Sequence, residues 1–169
     1  MAMISRKGFG QVEPNHLSAQ RNGQVYGQLP AAADIAVLEN GQFVKYDYAN
    51  GVCNFEGAGE WMLVLNEVKL YDGWRESYKD FALRADRYDN GVITPRVMKT
   101  MPGDIFTTNM VPVGVEYAVG DKLVPTKDNT SKTLVLTRNN SATTGMIWQV
   151  VKVYTMPDGQ PGLKVQRVQ

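Results

Sequence analysis

One cysteine and one histidine stand in the 169 residues, and that scarcity removes several chemistries at the outset. A structural zinc site takes about four nitrogen or sulfur ligands, which Cys53 and His16 cannot supply within one chain. Cys53 has no second thiol for an intrachain disulfide, which fits a chain that folds in a reducing cytosol. Charge of one sign is also lacking. The 18 basic and 17 acidic residues leave a formal charge of +1, far from the one-sided basic field of a protein that neutralises a nucleic-acid backbone. No apolar run approaches the ~20 residues of a membrane helix, since the densest, Trp61 to Leu65, suits one short strand. No apolar stretch of a signal peptide follows Arg6 and Lys7. A soluble product made in the cytoplasm is expected, with neither a membrane nor a nucleic acid as partner.

Phosphate and nucleophile motifs fail on spacing. Gly114 to Gly120 lacks the Lys that a phosphate-cradling loop needs after its second glycine, and it reads as the turn before a strand. Gly57-Ala58-Gly59 has Met62 where a dinucleotide fingerprint requires its third glycine. No Gly-x-Ser-x-Gly elbow is present, and a hydrolase would have only His16 as its base. No basic residue lies nearer to Cys53 in sequence than Lys45, so a small buried hydrophobe is its expected role. Glu60, Glu67, Asp72, Glu76, Asp80, Asp86 and Asp89 crowd one stretch, and a glycosidase needs two carboxylates across a cleft. They alternate with Lys69, Arg75, Lys79, Arg84 and Arg87, which favours a mutually neutralising polar rim. The expectation is a non-enzyme with no cofactor, no metal and no small-molecule substrate.

What the chain does contain is turns and short β-rich segments. Residues 1–30, rich in Gly, Gln, Asn and Ser with Pro14 and Pro30, follow neither helical nor strand period and read as an extended arm. The body is expected over 31–169. Asn40-Gly41, between Ile35–Glu39 and Gln42–Tyr46, predicts a two-residue hairpin. Ala49-Asn50-Gly51, Glu56–Gly59 and Asp89-Asn90-Gly91 read as further turns, and Trp61 to Tyr71 as a strand apolar on both faces in its first half. Trp74, Tyr78, Phe81 and Ala85 would line one face if residues 72–86 form a short helix. Pro95, Pro102, Pro112 and Pro125 exclude long helices beyond. Lys132 to Thr137, Met146 to Thr155 and Leu163 to Val168 predict three strands, the middle one central, with Trp148, Val150 and Tyr154 on one face. The fold class is all-β, a small barrel or sandwich with at most one short helix.

An arm of some thirty polar residues costs entropy to order and gains from a partner's groove. Its contact residues would be Arg6, Lys7, Phe9, His16, Arg21 and Tyr26. Three tryptophans and eight tyrosines suit cores and interface centres alike. Trp61 and Trp148 sit in strand patterns and are expected inside. Trp74, set in Asp72-Gly73-Trp74-Arg75-Glu76, reads either as an exposed anchor or as part of a buried helix face.

The succession "VKLYDGWRESYKDFAL", "PRVMKTMPGDIFTTN", "VGDKL" and "WQVVKVYTMPDGQPGLKVQRVQ" resembles small auxiliary or decoration head proteins encoded beside the major capsid gene of tailed bacteriophages. The resemblance spans most of residues 34–169. It implies a virion protein on the capsid surface, bound to the major capsid protein and to neighbouring copies of itself, with no catalytic residues to carry over. Two other readings compete. One is a carbohydrate-binding module using Trp74, Tyr71 and Tyr78, and the other is a tail or baseplate connector of the same kind of particle.

Overall fold

The computed structural model describes residues 1–169 apart from 24, 28, 58, 67–81 and 128–132. It is mostly β, as the turn-punctuated sequence predicts; among the described residues the named strands pair antiparallel, Ala31 and Cys53 form an isolated parallel bridge, and no barrel closes. The strands are β1 (Ala2–Met3), β2 (Val12–His16), β3 (Val25–Tyr26), β4 (Val37–Glu39), β5 (Phe43–Asp47), β6 (Val52–Asn54), β7 (Met62–Val64) and β8 (Ala82–Arg84). They continue with β9 (Val97–Met98), β10 (Ile105–Thr108), β11 (Glu116–Tyr117), β12 (Lys122–Lys127), β13 (Leu134–Arg138), β14 (Trp148–Thr155) and β15 (Pro161–Arg167). One sheet runs β13-β12-β14-β15-β10-β2 and a second β3-β9-β7-β5-β6, while β1-β11 and β4-β8 form two ribbons.

The second sheet is apolar on both sides, so it lies between two cores. Phe43, Leu63 and Met98 face the six-stranded sheet, where they join Phe106, Leu123, Leu134, Leu136, Trp148, Val150, Leu163 and Val165. Trp148 is fully buried and meets Phe106 edge-on at 4.9 Å between centroids. Val44, Tyr46, Met62, Val64 and Val97 turn the other way, onto Ile35, Leu38, Leu83 and Ile93 of the β4-β8 ribbon and its flanking loops. Met62, Leu63 and Val64 are all buried, which is why this short strand carries no polar residue.

Two expectations about the ends of strands are corrected. Asn40-Gly41 makes a tight turn, with Gln42 N donating to Glu39 O at 3.3 Å, yet β4 and β5 do not pair. β4 pairs with β8, whereas β5 pairs with β6 and β7. The turn is a corner between sheets because Asn40 is held inside. Its Nδ2 donates to Asn66 O (3.3 Å) and its Oδ1 accepts from Asn66 N (2.7 Å). Gly41, at φ +93°, sits under Met110, where a Cβ would meet the Met110 Cβ at 2.6 Å and Thr108 Oγ1 at 2.9 Å. In β14 the pairing shifts between Val150 and Lys152, and a bulge of this kind reverses the alternation. Val153 therefore packs against the core while Tyr154 joins Lys152 and Lys164 on the other face.

The N-terminal thirty residues are bonded into the body instead of forming a separate arm. β1 pairs with β11, β2 is an edge strand on β10, and β3 is an edge strand on β9. Ile4, Leu17 and Ala19 are buried in the main core. Between them the chain is tied through polar side chains: Gly10 N donates to Glu39 Oε2 (2.6 Å) and Gln11 N to Asn109 Oδ1 (2.9 Å). The α-helix α1 (Ser18–Asn22) also falls here. Ser18 N and Oγ both donate to the buried Asp104 carboxylate, and Gly23 in the left-handed region closes the last turn. Of the helix predicted at 72–86, residues 72–81 lie outside the described residues, Ala82–Arg84 is the strand β8, and Ala85–Arg87 is a single 3-10 turn.

Deleting residues 1–22 should leave a chain without a cooperative unfolding transition, read by thermal circular dichroism. The milder Leu17→Ala should cost about 2–5 kcal/mol in urea denaturation. Gly41→Ala should destabilise clearly more than Gly51→Ala, which shares the positive φ but faces open space.

Candidate binding surface

Those of the expected contact residues that the structure describes are spread over both sheets and α1. Arg6 is half-buried with Nη1 donating to Met110 Sδ (2.7 Å), and exposed Lys7 donates its backbone N–H to Gln160 Oε1 (2.7 Å). Phe9 is half-buried. His16 closes the edge strand β2 and Arg21 lies in the last turn of α1, both exposed. Tyr26 is half-buried in β3 on the other sheet. Trp74, Tyr71 and Tyr78 lie outside the described residues. The N-terminal segment thus spends many of its polar groups on its own fold.

Tyr26 does belong to a cluster that its sequence position did not reveal. Its ring meets Tyr46 edge-on at 6.5 Å, and Tyr46 meets Tyr48 edge-on at 5.6 Å. Tyr46 is 5% exposed and Tyr48 79%. The row thus runs from the second core out to solvent. Beside it Lys99 Nζ lies 3.2 Å from Glu60 Oε2, and Arg167 Nη1 lies 3.7 Å from Glu60 Oε1. The Glu60 carboxylate holds the Lys99 ammonium above its ordinary pKa. Asp47, between Tyr46 and Tyr48, accepts from Asn50 N (3.1 Å) and Asn50 Nδ2 (2.7 Å) at the β5–β6 turn. The Asn50 side chain leads the contacts that hold the Asp47 carboxyl below its ordinary pKa. Trp61 is half-buried, with Lys45 Nζ 4.1 Å above its ring. The sequence signal was the Tyr46-x-Tyr48 spacing, which sets the second ring just past the end of the strand that carries the first.

The reactive candidates are placed as follows. Cys53 is buried in β6, and desolvation pushes its thiol up to about 11. Of the carboxylate-rich stretch, Glu60 pairs with Lys99, and Asp86 lies 3.5 Å from Arg84. Glu67, Asp72, Glu76 and Asp80 lie outside the described residues. A cleft of about 140 Å³ is lined by Asp34, Asn54, Glu56 and Lys127 with Ala32, Ile35 and Phe55. Lys127 Nζ closes its rim by an ion pair with Glu56 Oε1 at 2.6 Å. Among the described residues no three His, Cys, Asp or Glu side chains gather to hold a metal ion. No described helix is long and apolar enough to cross a membrane.

Comparisons add no relative. No family model, no curated protein and no solved structure matches this chain. What it does must be argued from its own surface.

Cys53 gives a pH-dependent expectation. Its folded pKa stands above its ordinary value of 9.0, so the neutral thiol's contribution is fully present below about pH 9 and is lost as pH rises toward 11. Denaturant midpoints should fall across that window more in the wild type than in Cys53→Ala. A thiol reagent at pH 8 should label the native chain far more slowly than the unfolded one.

Proposed function

We propose that this chain is a non-catalytic structural protein of a tailed-phage virion, attached to the outside of the capsid beside the major capsid protein and further copies of itself. The resemblance of most of residues 34–169 to auxiliary head proteins suggests the particle, and the β1-β11 ribbon supplies the physical support. Met1 is 85% exposed, Met3 61%, Val113 56% and Val119 65%. All four lie on this ribbon or the turns flanking it, where Ile4 N donates to Val115 O and Gly114 N donates to Ile4 O. Apolar side chains gathered on one element have a reason to be there that scattered ones do not. Methionine adapts to an irregular partner surface.

Attachment of this kind works through number. Each copy buries a modest apolar area, and the symmetric shell repeats the contact. Where the surface it binds exists only in the assembled shell, binding stabilises that shell by mass action.

Mass spectrometry of separated heads and tails from particles carrying this chain should find it with the heads. In cosedimentation with purified capsids, Met3→Glu with Val119→Glu should weaken attachment at least tenfold while the thermal midpoint stays within a few degrees. Recovery with tails alone, or with neither fraction, would overturn the proposal.

A further inference from the structure

We infer that Asn50 is a self-modification site, converted with time to aspartate and isoaspartate through a succinimide formed with Gly51, and that the fold selects it from among the Asn-Gly pairs of the chain. Those pairs are Asn22-Gly23, Asn40-Gly41, Asn50-Gly51 and Asn90-Gly91. All share the same local chemistry. The backbone nitrogen of the glycine attacks Cγ of the asparagine, the bond from Cγ to Nδ2 breaks, and that nitrogen takes a proton from water and leaves as ammonia. The glycine amide proton passes to solvent base, so the ring closes with no oxidant and no cofactor. Water then opens the ring, at the side-chain carbonyl to aspartate and at the backbone carbonyl to isoaspartate. Glycine favours the step because no side chain shields its nitrogen.

What separates the pairs is the partner of the glycine N–H. Gly23 N donates to Ala19 O, Gly41 N to Val64 O at 3.0 Å and Gly91 N to Tyr88 O at 2.9 Å. A nitrogen whose proton is held by a carbonyl loses it less readily, and the bond must break before the nitrogen can turn toward Cγ. Gly51 N makes no hydrogen bond with the described residues. Gly51 is exposed, and a Cβ built on it would meet nothing within 4 Å, so water and base reach its nitrogen freely. Asn50 is exposed as well. Asn40 is the opposite case, 4% exposed and gripped by Asn66 at both ends of its amide.

The conversion has a structural consequence because Asn50 helps to close the β5–β6 turn. Its Nδ2 donates to Asp47 Oδ2 at 2.7 Å and its backbone N to Asp47 Oδ1 at 3.1 Å. A carboxylate in place of the amide removes the Nδ2 donor and sets a like charge against Asp47. Isoaspartate also lengthens the main chain of the turn by a methylene. The side-chain donor that remains to Asp47 is Asn54 Nδ2, at 3.5 Å. The turn therefore loosens as a copy ages, and the change runs one way. None of these residues lies on the β1-β11 ribbon, so the site does not rest on shell attachment.

Peptide mapping by mass spectrometry, on the full chain held folded in warm, mildly alkaline buffer, tests this. The mass gain of an amide-to-acid change should accumulate at Asn50 about tenfold faster than at Asn22, Asn40 or Asn90, the scale on which one backbone hydrogen bond alters a barrier. Chromatography should resolve the Asn50 product into aspartate and isoaspartate peptides. In enough urea to unfold the chain the rates of the pairs should draw together. No conversion at Asn50, or another pair leading in the folded chain, overturns the site, and an undiminished lead for Asn50 in urea overturns its selection by the fold. Asn50→Asp reproduces one product and should lower the urea midpoint, whereas Asn90→Asp, which keeps an acceptor for Val92 N, should not. An unchanged midpoint in Asn50→Asp overturns the loosening.

Discussion

Three consecutive apolar residues, Met62, Leu63 and Val64, have no solvent face to turn to. Alternation sends Leu63 one way and its two neighbours the other, so a strand of this composition is stable only with protein on both sides. The six-stranded sheet covers one side, and the β4-β8 ribbon with the loops around Ile35 and Ile93 covers the other. The rest of the layout follows. β4 must leave the neighbourhood of β5 to reach the outer layer, and Asn40-Gly41 becomes a corner. The N-terminal residues must fill what remains around the main core, which draws Ile4, Leu17 and Ala19 inward.

The elements legible in the sequence were those whose residues decide their own conformation. The β14–β15 connection forms where it was read, though Pro161 and Gly162 already pair within β15 and only 156–160 make the turn, and β14 lies in the interior of its sheet between β12 and β15. The β5–β6 turn at Ala49-Asn50-Gly51 and the turn closing at Gly91 are equally local. Misreadings came where tertiary contacts chose between locally equal options. Nothing in Asn40-Gly41 itself distinguishes a hairpin from a corner; the choice is made by Asn66, twenty-six positions away. The bulge that moves Tyr154 outward leaves no mark in the Val-Val-Lys-Val run. Residues 1–30 looked unstructured because their anchors, Ile4, Leu17 and Ala19, are too few and too widely spaced to show a period, and further ties run from backbone amides to distant side chains such as Asp104 and Asn109.

The candidate surface was legible only in part. Tyr26 was singled out for its place in the N-terminal segment, and it is the pairing of β3 with β9 that carries it onto the sheet that holds Tyr46, whose ring Tyr48 meets from the turn after β5. Glu60 and Lys99 are thirty-nine positions apart, and only adjacency of β7 and β9 makes them a pair. Single residues could be listed from composition, but their company could not.

Pro14 sits in the outermost strand of the six-stranded sheet, at a place where the pairing with β10 also slips by one residue. A strand on the rim that lacks one amide proton and is kinked beside it makes a poor template for a foreign strand. Copies crowded side by side at high local concentration are thus discouraged from zipping together through this edge into fibrils, so packing the molecule densely need not mean polymerising it.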